Sequence, residues 1–247
     1  AATGPAVAAA RTLAATVFNR DLPGPLARLR GTDGPVNFAV HAQYNPENLT
    51  QYNIEPGLMG VVLTMTMVMI TALAITRERE RGTMENLLAT PVRPIEVMLG
   101  KILPYIAVGY VQMTLILVTA RYIFQVPLLG SVPLLYGVSL LFIAANLAVG
   151  ITFSTLAKNQ LQAVQMAFFF FLPSILLTGF MFPFRGMPEW AQWIGSVLPN
   201  THFLRIVRGI LLKGNGPLEI APEIWPLLLF LVVAMAIGVK RYRQTLD

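Results

Sequence analysis

The sequence predicts an all-α polytopic membrane protein, and three observations carry that prediction. Of the 247 residues, 55% are hydrophobic and only 12% are charged, which is about half the charged share of a soluble domain. Mean hydropathy is +0.62. Five stretches are apolar over the roughly 20 residues that a helix needs to cross a bilayer core. So few charges could not cover so much apolar surface in water, which excludes a disordered chain, a basic nucleic-acid-binding domain and an ordinary soluble enzyme.

We predict five transmembrane helices, none of which carries a charged residue. Their ranges are 57–76, 102–120, 134–157, 161–182 and 224–239. Buried helices of a large soluble core are the alternative, but such helices seldom run so long without a polar face. The polar link Lys158-Asn159-Gln160 is short, so the third and fourth spans are expected to form a tight hairpin.

Lysine and arginine near the span ends predict the orientation, because positive residues collect on the cytoplasmic side. Nine lie on the side of the 77–101 link: Arg77, Arg79, Arg81, Arg93, Lys101, Lys158, Lys240, Arg241 and Arg243. Five flank the other ends: Arg121, Arg185, Arg205, Arg208 and Lys213. The amino-terminal segment adds Arg11, Arg20, Arg28 and Arg30, all more than 20 residues from Gly57 and therefore of little weight. We expect the amino-terminal segment outside and the tail, 240–247, in the cytoplasm.

Residues 1–56 are predicted to be the carboxyl-terminal part of an α/β extracytoplasmic domain. Apolar residues between Val7 and Val17 recur at helical spacing, and residues 36–44 alternate as a half-buried strand would. A translocated segment needs a signal, yet no basic region followed by an apolar one opens the chain. We therefore expect the natural protein to begin earlier, with a further span.

The sequence offers no catalytic or metal-binding constellation. Cysteine is absent, and the two histidines, His41 and His202, are far apart, so no thiolate site or multi-histidine centre is expected. The spans lack the carboxylates of ion-coupled transporters, and no phosphate-binding loop is present. Asn146 is the most polar residue inside a span, and packing between helices is favoured for it over a contact with a substrate.

The cytoplasmic link, 77–101, carries the most informative pattern. The charged run Arg77–Arg81 extends the first span, Gly82 interrupts the helix, and Thr83 can cap a short helix that Pro91 ends. That helix presents Met84, Leu87 and Leu88 on one face, and it is too short to be stable without a partner. Two interpretations remain open from the residues alone: a protein-docking element, or a charged loop that merely obeys the positive-inside rule.

A second amphipathic segment, 184–222, lies between the fourth and fifth spans and is predicted to form an outer helical hairpin. The first helix places Trp190 and Trp193 on one face, and Pro199 ends it. Asn200 or Thr201 can cap the second helix, which Gly214 ends. Arg208 and His202 fall on its polar side, and His202 is interpreted as an interfacial residue with satisfied hydrogen bonds. The helices either lie on the bilayer surface or re-enter it.

The run from Glu78 to Leu88, ERERGTMENLL, closely resembles the cytoplasmic motif of ABC exporter permeases of the second permease family, which includes bacterial multidrug efflux permeases. Other matching segments follow in the family's order: Tyr44-Asn45-Pro46, Glu55-Pro56-Gly57, Thr90 to Pro94, Leu99-Gly100-Lys101, Phe171 to Pro183, Leu198-Pro199 and Arg208-Gly209-Ile210. The family has six spans, with a large extracytoplasmic domain after the first. This sequence resembles the family without its first span and most of that domain.

The resemblance implies a permease of the bacterial inner membrane that is not itself an enzyme. Two permease chains would pair, in lipid, above separate nucleotide-binding subunits that hold ATP and Mg²⁺. The coupling residues would be Glu78, Arg79, Glu80, Arg81, Gly82, Thr83, Met84, Glu85, Leu87 and Leu88. The outer helices would roof the transport path, with Trp190, Trp193, Pro199 and Arg208 as the candidate gate residues. No cofactor in this chain and no nucleic-acid partner are expected.

The expected function is ATP-driven export of a small hydrophobic or amphipathic compound. Methionine and phenylalanine in the spans suit such cargo, although they suit lipid contact equally well. No substrate-binding residue is assigned. The alternatives are a membrane scaffold or receptor that moves nothing, a secondary transporter, or, within the family, an exporter of lipids or lipid-linked glycans.

Overall fold

A computed structural model describes residues 50–82 and 94–244. The predicted extracytoplasmic remnant, apart from the start of the first helix, lies outside these ranges, as does the predicted short coupling helix after Gly82. Within them every regular element is helical, so the predicted all-α membrane fold is confirmed. The long helices are α1 (Thr50–Glu80), α2 (Pro94–Tyr122), α3 (Val132–Leu156), α4 (Gln160–Leu176) and α7 (Pro217–Gln244), with α5 (Glu189–Val197) and α6 (Pro199–Arg208) between the last two.

Four of these helices are long and apolar enough to cross a membrane over the described residues: 54–78 in α1, 102–122 in α2, 132–156 in α3 and 217–240 in α7. The predicted fourth span, 161–182, is only partly helical, because α4 ends at Leu176. Its 17 residues correspond to about 26 Å, slightly less than a typical hydrocarbon core. Pro173 lies in its last turn, and Gly179, at φ +85°, takes the chain away from the helix. The count of five spans therefore stays a prediction.

Helix α3 is the centre of the bundle. Phe142, Ile143, Leu147 and Ile151 are completely buried, and the Phe142 ring stacks on Phe203 of α6 with 3.9 Å between centroids. Asn146 of α3 is completely buried, as its predicted packing between helices requires. Its side-chain amide donates to its own helix at Phe142 O, 2.8 Å away.

The faces of α2 and α7 that point away from α3 are apolar and exposed. They carry Leu103, Val108, Val111, Leu115 and Val118 on α2, and Leu228, Leu229, Val232, Val233 and Ile237 on α7. A soluble protein rarely exposes so large an apolar surface. Lipid is the solvent that such faces require, in agreement with the hydropathy of the sequence.

The segment between α4 and α7 corrects one local prediction. Neither Asn200 nor Thr201 caps α6: the helix begins at Pro199, and Leu198 occupies the capping position. Proline suits that first helical position because its missing N–H would have no helical partner. Asn200 and Thr201 are instead buried in the first turn. Gly214, at φ +70°, ends a π-helical turn, Gly209–Lys213, that extends α6.

Candidate coupling and transport site

The carboxyl-terminal end of α1 meets the turn between α3 and α4. We call this region, residues 77–82 with 157–163, the coupling end. Helix α1 continues beyond its apolar part as a charged extension as far as Glu80. A turn at Arg81 and Gly82 follows, with Gly82 at φ +70°. The predicted short helix that begins at Thr83, which we call the docking segment, follows this turn in the sequence.

Glu80 holds the amino terminus of α4 through both carboxylate oxygens. Its Oε1 accepts the backbone N–H of Gln160 at 2.7 Å, and its Oε2 accepts the side-chain amide of the same residue. Hydrogen bonds from the side chain and then the backbone of Gln160 hold the pKa of Glu80 below its usual range. A carboxylate is favoured here because the first N–H groups of a helix lack helical partners and carry partial positive charge.

The turn before α4 is closed by reciprocal side-chain bonds. Asn159 is the capping residue of α4, and its side chain accepts the N–H of Gln162 at 2.8 Å. The Gln162 side chain in turn accepts the N–H of Lys158 at 2.7 Å. This arrangement resembles a capping box. It fixes the direction in which α4 leaves the turn.

Small residues bring α1, α3 and α4 together near this end. Ala72, Ala157 and Ala163 form one buried cluster, with one alanine from α1, one that ends α3 and one from α4. Gly150 of α3 lies so close to α1 that a methyl group there would be 2.6 Å from Val68 O. Close approach of this kind is how membrane helices associate without a hydrophobic driving force.

Of the predicted coupling residues, the structure describes only the first few. Glu78 is half-buried, while Glu80, Arg81 and Gly82 are exposed. The Arg79 side chain and residues 83–88 lie outside the described part. Gln160 was not predicted as the partner of Glu80. The spacing of Asn159 and Gln162 is typical of a capped helix start and could have predicted that α4 begins at Gln160.

The far end of α4 is attached to α6. The Asn200 side-chain amide donates to Ser174 O at 3.2 Å and to Thr178 Oγ1 at 3.3 Å. The Arg208 guanidinium donates to Gly179 O at 3.3 Å, and burial lowers the pKa of Arg208. Helix α5 packs on the same region, because a methyl group at Gly195 would lie 2.4 Å from Leu177 O.

His202 joins α5, α6 and α7. Its Nδ1 lies 2.6 Å from Glu223 Oε2, and its Nε2 lies 2.8 Å from the backbone oxygen of Ser196. Arg205 also donates to Glu223, at 3.2 Å, and its guanidinium lies 4.8 Å from the centroid of the Phe184 ring. The geometry agrees with the interpretation of His202 as a residue with satisfied hydrogen bonds. Its link to Glu223 is not visible in the sequence.

The predicted gate residues occupy different environments. Trp190 and Trp193 are exposed on α5, and Trp193 lines an open cleft with Phe184, Glu189 and Gln192. Pro199 is buried, and Arg208 is half-buried against the loop that follows α4. The structure therefore places the two tryptophans at a surface, Pro199 in the buried first turn of α6, and Arg208 against the loop after α4. Their role as a gate stays a prediction.

A groove between α1 and α4 is lined by some of the methionine and phenylalanine residues of the spans. The lining residues are Met65, Met69, Ala167, Phe168 and Phe171, and the groove leaves no space large enough for a water molecule. Pockets for drug-sized ligands usually hold about 300–1,000 Å³. The groove of one chain is therefore smaller than a complete site for such a compound.

Comparison with known proteins identifies the family of this membrane domain. The chain belongs to the ABC-2 family of transporter proteins, whose family model matches residues 10–240. It is 33% identical to the probable multidrug ABC transporter permease YbhS of Escherichia coli over 205 residues, 83% of this chain and 54% of that protein.

Two further relatives match this chain with similar identity and coverage. Identity is 30% to the probable multidrug ABC transporter permease YbhR of Escherichia coli, over 87% of this chain and 59% of that protein. Identity is 32% to the inner membrane transport permease YhhJ of the same organism, over 93% of this chain and 62% of that protein. The chain thus spans a little more than half the length of these curated relatives.

Proposed function

We propose that this chain is the membrane-spanning part of an ABC exporter permease. In this proposal a separate nucleotide-binding subunit binds and hydrolyses ATP with Mg²⁺, and the permease converts the resulting movement into export. The chain itself carries out no chemistry. Membership of the ABC-2 family and the relatives' names as transport permeases support this proposal.

The observation that carries the proposal is the charged extension of α1. It leads from a helix long enough to span the membrane into the ERERGTMENLL run, and Glu80 joins it to a second membrane helix. A partner that docks on residues 77–90 would therefore move α1 and, through Glu80, α4. Glu85 and its charged neighbours would make the polar contacts, and Met84, Leu87 and Leu88 would be buried in the partner.

The proposed cargo is a small hydrophobic or amphipathic compound. The groove between α1 and α4 offers thioether and aromatic surfaces, which adapt to apolar ligands of varied shape. Because this groove is small, we propose that a second permease chain completes it. Two relatives are named as probable multidrug permeases, and that description suits the same class of cargo.

The proposed location is the bacterial inner membrane, with the 77–101 link and the carboxyl terminus in the cytoplasm. Lysine and arginine flanking the spans support this orientation. The α5–α6 hairpin would then lie at the outer surface. Its exposed tryptophans, Trp190 and Trp193, suit the interface between water and lipid.

Purification of the protein from its own membranes in mild detergent tests the proposal. We expect a nucleotide-binding subunit to co-purify in stoichiometric amount and to hydrolyse ATP. Glu85→Arg should release that subunit, because it reverses a charge in the proposed docking contact. Glu189→Arg, the same exchange at an exposed position on α5, is the control and should retain it. A folded, dimeric wild-type protein without such a subunit would contradict the proposed function.

A further inference from the structure

Helix α4 is held at both ends by polar contacts to parts of the chain that are distant in sequence. Its first residue, Gln160, donates hydrogen bonds to both carboxylate oxygens of Glu80. In its last turn and just beyond, Ser174 and Thr178 accept the side-chain amide of Asn200. Among the described residues, this helix therefore connects the coupling end with the α5–α6 hairpin.

Helix α4 is uninterrupted from its first turn to its last. It contains no glycine, and its proline, Pro173, lies in the last turn, so a kink would fall next to the Asn200 contact. Its first turn is fixed by the Asn159 cap. Gly82, the position of positive φ at the end of α1, follows Glu80 in the chain. A bend at Gly82 therefore leaves Glu80 on the α1 side, together with α4.

The contact at Glu80 is specific in geometry as well as in charge. Two oxygens of one carboxylate meet two N–H groups of one residue, and charge-assisted hydrogen bonds of this kind are stronger and more directional than neutral ones. Ala72, Ala157 and Ala163 keep the backbones of α1 and α4 near each other beside it. The carboxylate also lies at the positive end of the α4 dipole.

From this arrangement we propose that Glu80 is a positioning residue that transmits movement of the docking segment to α4, and through α4 to the α5–α6 hairpin. The inference rests on the proposed function, because it concerns how that function is driven. It changes the role expected for Glu80. Both oxygens of its carboxylate accept hydrogen bonds inside this chain, and in this proposal Glu80 connects the docking segment to the bundle instead of binding the ATPase subunit.

The test uses the full-length transporter complex in proteoliposomes and three variants of the permease. Glu80→Ala removes both contacts, Gln160→Ala removes only the side-chain contact and keeps the backbone donor, and the third variant combines them. Gln165→Ala is the matched control, because Gln165 is an exposed glutamine of α4. Each sample is measured for the retained nucleotide-binding subunit, for ATP hydrolysis and for export of a fluorescent hydrophobic dye. Hydrogen exchange at residues 157–163 reports the contact directly.

We expect Glu80→Ala to retain the nucleotide-binding subunit but to lower dye export per ATP at least about fivefold, the lower end of ordinary coupling between sites. Gln160→Ala should act in the same direction, and the combined variant should be no worse than Glu80→Ala alone, because both remove one link. Amide exchange in the first turn of α4 should rise in Glu80→Ala. Gln165→Ala should match wild type in all four measurements.

Three results would overturn the inference. Export per ATP could stay at the wild-type value in a complex that is intact. The two single effects could add in the combined variant, which would make them independent. Glu80→Ala alone could release the nucleotide-binding subunit, which would make Glu80 a docking contact. If Glu80→Ala does not fold, export per ATP in Gln160→Ala is the measurement that decides. Absence of ATP-driven export in wild type would instead refute the proposed function, so the two failures are distinguishable.

Discussion

The side-chain oxygen of Asn200 lies directly against the backbone of Gly60. A methyl group at Gly60 would be 2.1 Å from Asn200 Oδ1, and Phe203 is close on the same side. The amide of Asn200 meanwhile reaches α4 at Ser174. Asn200 therefore packs against α1 and is hydrogen-bonded to α4, so it helps to position α6 against both helices.

Gly60→Ala is expected to destabilise the protein, because the added methyl group must displace Asn200 or α1. Overpacking in a filled core usually costs about 1–3 kcal/mol. Gly137→Ala is the control, since a methyl group at Gly137 of α3 meets no atom within 4 Å. Thermal unfolding in detergent measures both. Equal melting temperatures for the two variants would show that α6 does not pack on α1 in this way.

Asn200→Ala should loosen the α5–α6 hairpin from α4. It removes two hydrogen bonds, to Ser174 and Thr178, and each buried bond of this type contributes about 0.5–1.5 kcal/mol. Hydrogen exchange should therefore increase in α5 and α6 more than in α2. A uniform increase throughout the bundle would contradict the local role of Asn200.

Acidification should weaken the start of α4 through Glu80. Its pKa is lowered in the folded protein by the hydrogen bonds from Gln160. The contact therefore contributes stability above the usual glutamate pKa of 4.5, and that contribution is lost as pH falls through the lowered value. Amide exchange at residues 157–163, corrected for the intrinsic effect of pH, should rise in that window in wild type but not in Glu80→Ala. The same pH response in both would exclude Glu80 as its origin.

The groove between α1 and α4 is expected to influence which compounds are exported. Phe168→Ala should change the relative export of two dyes of different size, because Phe168 lines the groove. Phe169→Ala is the control: Phe169 is the next residue, is 77% exposed and is not part of the groove lining. Identical dye preferences in the two variants would remove the groove from the proposed transport path.

Hydropathy predicted the large elements because a bilayer imposes one simple requirement on length and polarity. The apolar parts of α1, α2, α3 and α7 follow from it. The early end of α4 was not predicted, because residues 177–182 are as apolar as the helix before them. Only Pro173 and Gly179 signal the change, and many membrane helices tolerate both residue types.

The contacts that define the candidate site were less predictable. Glu80 and Gln160 are 80 residues apart, and His202 and Glu223 are 21 residues apart, so no local pattern pairs them. Asn200 looked like a helix cap because asparagine is favoured there. Pro199 already occupies the first helical position, and the asparagine side chain turns instead to α4.

Reconstitution of the complex tests directly whether the protein exports a compound at the expense of ATP. Proteoliposomes containing the permease and its co-purified nucleotide-binding subunit are loaded with a fluorescent hydrophobic dye, and dye movement is followed on addition of ATP and Mg²⁺. We expect movement that requires ATP hydrolysis and survives collapse of the proton gradient. Glu85→Arg should abolish it, and Glu189→Arg should not. Dye movement that follows the proton gradient without ATP, or equal movement in the Glu85→Arg complex, would contradict the proposed function.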